Sequence, residues 1–129
     1  LVFPVHPRTK KNLETFGLYA KLAAAPGMHL DEPVSYIPFM NLVSNCRLAV
    51  TDSGGIQEET TYLGIPCLTL RPNTERPITV TEGTNRLCTP ETVAVHAAET
   101  IAQSAPSSPP ELWDGKTAAR VAASARRRL

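Results

Sequence analysis

At 129 residues the chain is long enough for one compact core and too short for two domains of ordinary size, so a single domain is expected. A balance of 13 basic and 12 acidic residues leaves a net charge of +1, which excludes the strong field that attracts nucleic acid or an anionic membrane; any anion must be caught locally. Apolar residues make up 42% of the chain, and 12 prolines and seven glycines imply many loops around a modest core.

The rhythm along the chain is short apolar run, loop, helix, which is the pattern of a parallel sheet buried on both faces. Residues 1–5 read as a strand, 9 to about 22 as a helix and 28–30 as a short strand. A helix over 36–44 follows, with Ser35 as its N-cap and Ile37, Met40 and Leu42 or Val43 at helical spacing. The clearest unit comes next: a β-rich run over 47–51, a tight turn at Asp52-Ser53-Gly54-Gly55, and a helix from Ile56 to Leu63 stopped by Gly64. Residues 66–70 form the next strand, a loop carrying Arg71, Glu75, Arg76 and Pro77 leads to Gly83, and 85–88 is the last strand. Thr89-Pro90-Glu91 opens a helix as cap, first-position proline and first-turn acid, running to about Gln103. Residues 104–110 are a loop by composition, and an Ala- and Arg-rich helix runs from about Gly115, with Arg126 to Arg128 at its negative dipole end. The class is therefore α/β, a Rossmann-like parallel sheet flanked by helices, and no internal repeat is visible.

Cys46, Cys67 and Cys88 are odd in number, widely spaced and placed at the edges of apolar runs, so they read as reduced, buried, cytoplasmic thiols rather than a disulfide or zinc pattern. No apolar run approaches the roughly 20 residues that span a bilayer. The chain opens on Leu1, already inside a strand, which suggests a domain entered part-way.

Ligands of open parallel sheets bind beyond the carboxyl ends of the strands, so the loops after residues 5, 51, 70 and 88 are the candidates. At Ser53-Gly54-Gly55 the backbone N–H groups and the dipole of the following helix can receive a phosphate; a plain glycine turn capped by Asp52 or Ser53 explains the same four residues equally well. Glu58 reads as an acid compensating the helix dipole, and Glu59 as an acceptor for ribose hydroxyls. Arg71 and Arg76 lie in a stiff loop where a guanidinium can grip a diphosphate, Arg76 being the better placed. Phe39 can flank a planar base or fill the core, and His6 follows the first strand closely enough to meet a ligand. His29 and His96 have no convergent partners and read as structural or surface residues.

Taken together, Thr51-Asp52-Ser53-Gly54-Gly55-Ile56-Gln57-Glu58-Glu59, Gly64-Ile65-Pro66, Arg71 and Thr74-Glu75-Arg76-Pro77 resemble the signature of non-hydrolysing UDP-N-acetylglucosamine 2-epimerases. Pro4-Val5-His6-Pro7, Ser35-Tyr36 with Phe39, Gly83-Thr84-Asn85 and Trp113-Asp114-Gly115-Lys116 extend the resemblance over nearly the whole chain. It implies the second of two Rossmann-like domains, truncated at its start and flanking an interdomain active site.

The same resemblance implies a reaction that interconverts UDP-N-acetylglucosamine and UDP-N-acetylmannosamine by eliminating and re-adding UDP, without metal or nicotinamide, in cell envelope polysaccharide biosynthesis. By motif position Ser53, Gly54 and Gly55 would hold the diphosphate, Glu59 the ribose, Arg76 phosphate oxygens and the segment around Phe39 the uracil, while His6 would approach a second, regulatory UDP-N-acetylglucosamine. The catalytic groups are expected upstream in an amino-terminal domain, the full-length parent is expected to be a homodimer, and the isolated chain is expected to be inactive. A UDP-sugar-binding half of a glycosyltransferase and a non-catalytic UDP-binding module are the alternatives. In the strand order 3-2-1-4-5-6 the strand before Leu1 would be the central one, and direct pairing of residues 1–5 with 47–51 is expected to close the gap.

Overall fold

The computed structural model describes residues 1–103 and 108–128 and divides the chain into two compact units, Leu1–Asn41 and Leu42–Leu129. Both are built from parallel strands and helices, the expected α/β class.

In the first unit β1 (Val2–Pro4) pairs in parallel with β2 (His29–Asp31), Phe3 lying opposite Leu30. The crossover between them contains two helices, α1 (Pro7–Thr15) and α2 (Tyr19–Ala23), where the sequence suggested one. The break is at Gly17, whose φ of 66° is left-handed, and Leu18 N–H reaches back to Leu13 C=O at 2.8 Å. That bond closes a helix end instead of extending it. Lys10 ties the crossover to the segment after β2 through a 2.6 Å ion pair with Glu32. α3 (Tyr36–Asn45) begins where expected, with Phe39 N–H bonded to Ser35 C=O at 3.0 Å, and the division between the units falls within it.

The second unit holds a three-stranded parallel sheet, β3 (Ala49–Thr51), β4 (Cys67–Thr69) and β5 (Asn85–Leu87), with β4 in the middle and buried at all three positions. α4 (Gly54–Leu63) connects β3 to β4 and ends at Gly64 as the sequence requires: φ is 69°, and Ile65 N–H donates to Thr60 C=O at 2.8 Å. Between β4 and β5 a short helix, α5 (Ile78–Thr81), occupies what read as loop. α6 (Val93–Ala102) starts later than Pro90; residues 90–92 form a turn in which Thr89 N–H donates to Thr92 Oγ1 at 3.0 Å. α7 (Thr117–Arg126) is held at its start by Asp114, which accepts from Lys116 N–H at 3.0 Å and from Arg120 Nη1 at 2.9 and 3.0 Å. Of the loop expected over 104–110, residues 104–107 lie outside the described residues.

Two expectations need correction. Residues 1–5 do not pair with 47–51: β1 is bonded to β2 and β3 to β4, in two separate sheets. Each strand has taken the partner that its own helical crossover delivers, the local pairing in a βαβ unit. All three cysteines are free, but Cys46 is only half-buried, whereas Cys67 and Cys88 are buried; desolvation raises all three thiol pKa values above the ordinary range.

Candidate functional site

The site is built around the start of α4. Thr51 Oγ1 accepts from Ser53 N–H at 3.0 Å, turning the chain out of β3 with Ser53 in extended conformation (φ −84°, ψ 134°). Ser53 occupies the N-cap position but its hydroxyl makes no capping bond, so the plain-cap reading fails for this side chain. The helix opens on Gly54 and Gly55, two residues earlier than the sequence suggested, and a Cβ added at either glycine would meet nothing within 4 Å. Internal packing therefore does not demand glycine here. What remains is an open helix start whose first-turn N–H groups, from Gly54 onward, have no carbonyl of the same helix to bond, the geometry that receives anions.

Arg76 is fixed to this turn by a chain of polar contacts beneath it. Its N–H donates to Thr74 Oγ1 at 2.9 Å, and Thr74 Oγ1 donates to Gln57 Oε1 at 2.6 Å. Gln57 is fully buried on α4, and its Nε2 donates to Ser53 C=O at 3.3 Å. On the other side, Arg76 C=O accepts from Thr79 Oγ1 at 2.7 Å, and Asn85 Nδ2 donates to both Thr79 Oγ1 and Gln57 Oε1 at 3.1 Å. Thr69 Oγ1 of β4 completes the set by donating to Asn85 Oδ1 at 2.6 Å.

The guanidinium of Arg76 lies along α4, with Nε 3.0 Å from Glu58 Oε2. The pair is close without being aligned as a hydrogen bond, and both side chains are nearly half exposed (43% and 44%), so it contributes little to stability. Glu58, which read as an acid compensating the helix dipole, is thus the partner of Arg76 and sits in the second turn of α4. Glu59 is half-buried, makes no ion pair among the described residues, and shares a helix face with Gly55 one turn earlier. Arg71 is engaged with Glu75 at 3.4 Å. In the first unit, His6 caps α1 by accepting from Arg8 N–H at Nδ1 (3.3 Å), and Phe39 is half-buried on α3. His96 does have a partner, Glu99, whose Oε2 lies 3.4 Å from Nδ1 and 2.9 Å from Arg86 Nη1.

The family model for UDP-N-acetylglucosamine 2-epimerase matches residues 1–126. The chain belongs to this family. The UDP-N-acetylglucosamine 2-epimerase of Methanocaldococcus jannaschii is 51% identical over 87 residues, 67% of this chain and 24% of that protein. The Neisseria meningitidis enzyme of the same name is 42% identical over 93 residues, 70% of this chain and 24% of that protein. A solved structure of the M. jannaschii enzyme in complex with UDP-GlcNAc and UDP has a TM-score of 0.84 at 38% identity, over 98% of this chain and 35% of that one. The chain thus spans about a quarter of the curated relatives and about a third of the solved ones.

The family's motif positions divide between the units: Ser53, Gly54, Gly55, Glu59 and Arg76 in the second, His6 and Phe39 in the first. Gln57, Thr74 and Asn85 were legible only as parts of the family signature, and being uncharged they suggested no role of their own. One signal was available, a glutamine placed one helical turn after Ser53, within reach of that residue's carbonyl.

Proposed function

We propose that this chain forms the nucleotide-gripping part of an enzyme that interconverts UDP-N-acetylglucosamine and UDP-N-acetylmannosamine by elimination and re-addition of UDP. The observation that carries the reading is the uncapped, uncrowded start of α4 with Arg76 tied to it by one polar network. One phosphate of the ligand takes the N–H groups of Gly54 and Gly55 with the Ser53 hydroxyl beside them, and the other takes the Arg76 guanidinium. Glu59, on the Gly55 face, accepts from the ribose hydroxyls, for which the lack of an ion-pair partner among the described residues leaves it available. The assignments of uracil to the Phe39 segment and of a second sugar nucleotide to His6 rest on the family resemblance alone, as do a homodimeric parent and a role in envelope polysaccharide synthesis.

Calorimetric titration of the full-length protein carrying this sequence tests the reading. UDP is expected to bind more tightly than ADP, and Glu59→Gln to weaken UDP by about 1.5–3 kcal/mol through loss of charge-assisted bonds. Equal affinity of the unsubstituted protein for UDP and 2′,3′-dideoxy-UDP would remove the ribose role from Glu59.

A further inference from the structure

We infer that Gln57, acting through Thr74, is a positioning residue that sets the spacing between the glycine turn and Arg76, and that this spacing makes the site prefer a nucleoside diphosphate over a monophosphate. The inference rests on the proposed nucleotide grip and adds to it the origin of its selectivity.

The direction of every bond in the network follows from its main-chain ends. Ser53 C=O can only accept, so the Gln57 group facing it at 3.3 Å is the amide NH2, and Oε1 points the opposite way. Arg76 N–H can only donate, so Thr74 Oγ1 accepts from it and turns its own proton to Gln57 Oε1 at 2.6 Å. Arg76 C=O can only accept, so Thr79 Oγ1 donates to it and accepts from Asn85 Nδ2 in turn. Along this path each main-chain end is matched, and Gln57 Oε1 accepts twice, from Thr74 Oγ1 and from Asn85 Nδ2. A buried network of that kind has one low-energy arrangement, because reversing any amide leaves two donors or two acceptors face to face.

Both main-chain polar groups of Arg76 are thereby fixed, and the path from Arg76 N–H to Ser53 C=O passes through only two side chains, Thr74 and Gln57. Of these, Gln57 is fully buried and touches no solvent, so it has no ligand contact of its own to make. Its effect on a ligand is on where the Arg76 loop stands. A monophosphate reaches one of the two donor sets and is indifferent to their separation; a diphosphate reaches both and is sensitive to it.

The test is the ratio of UDP to UMP affinity, measured by calorimetry on the full-length protein. Gln57→Met keeps the volume and removes both the donor and the acceptor; UDP affinity is expected to fall by at least about tenfold with a much smaller change for UMP, so that the ratio collapses. Because an apolar side chain beneath Asn85 can also impair folding, Thr74→Val provides the same cut at a half-exposed position, and Thr74→Ser, which retains the hydroxyl, is expected to restore the ratio. A UDP to UMP ratio unchanged in both Gln57→Met and Thr74→Val, or lowered equally by Thr74→Val and Thr74→Ser, overturns the positioning role while leaving the nucleotide grip intact. If instead the unsubstituted protein binds UDP no better than UMP, the two-donor grip itself falls, and the inference with it.

Discussion

Thr61 and Gln57 lie on the same helix, both fully buried, and meet opposite fates: the Gln57 amide bonds at both its nitrogen and its oxygen, whereas Thr61 Oγ1 has no hydrogen-bond partner among the described residues. A buried hydroxyl without a partner costs about 1–3 kcal/mol in lost hydration. Valine has the same branched shape without that group, so Thr61→Val is expected to raise stability by about 1 kcal/mol, read as a higher urea midpoint at unchanged slope. A lower midpoint would mean that the hydroxyl is satisfied in solution. Single residues were legible in the sequence where their chemistry is local, as at Gly64, which had to stop a helix. They were illegible where the partner comes from a distant element, as with Glu58 and Arg76, 18 positions apart and joined only by folding.

At the scale of elements, α5 meets α4 at a glycine. A Cβ placed on Gly83 would lie 2.5 Å from Thr79 C=O and 2.6 Å from both Thr61 Cγ2 and Oγ1, so alanine there must push the turn after α5 away from α4. Overpacking of this kind costs about 1–3 kcal/mol. Gly83→Ala is expected to lower the thermal midpoint, and to weaken UDP binding as well, since Thr79 anchors Arg76 C=O; a variant as stable as the parent would show that the turn yields freely. The strands of both units could be read from their apolar runs to within two residues of each end, because buried parallel strands leave little choice of residue. Helix ends were read less well. The 9–22 helix missed the left-handed turn at Gly17, and α5 was missed because four residues in a proline-flanked loop carry no helical period.

Across the whole molecule, exposed carboxylates in and beside the later helices are held by nearby donors. Asp114 is kept below the ordinary carboxylate range first by Lys116 N–H and then by Arg120, Glu99 first by Arg86 and then by His96, and Glu91 first by Thr89. A carboxylate with a depressed folded-state pKa stabilises the fold above its ordinary pKa, and that contribution is lost as pH falls through the depressed value. The urea midpoint is therefore expected to decline below the ordinary carboxylate range, and less steeply in an Asp114→Asn, Glu99→Gln double variant; identical slopes would discount both groups. No residue of the chain is assigned to proton transfer, so the 129 residues alone are expected to leave C2 of UDP-N-acetylglucosamine unlabelled in deuterated water, as mass spectrometry would report. The interior itself is unusual in kind. Among the described residues the buried apolar set is Val5, Val43, Cys67, Leu68 and Cys88, against six buried polar residues, Gln57, Thr60, Thr61, Thr69, Thr79 and Asn85. Newly wetted apolar surface raises the heat capacity on unfolding and polar surface lowers it, so calorimetry should find an increment below the usual value of about 12–15 cal/mol/K per residue. Stability would then vary with temperature along a shallow arc, and the polar interior that orders the Arg76 loop would also broaden the range of temperatures over which that order survives.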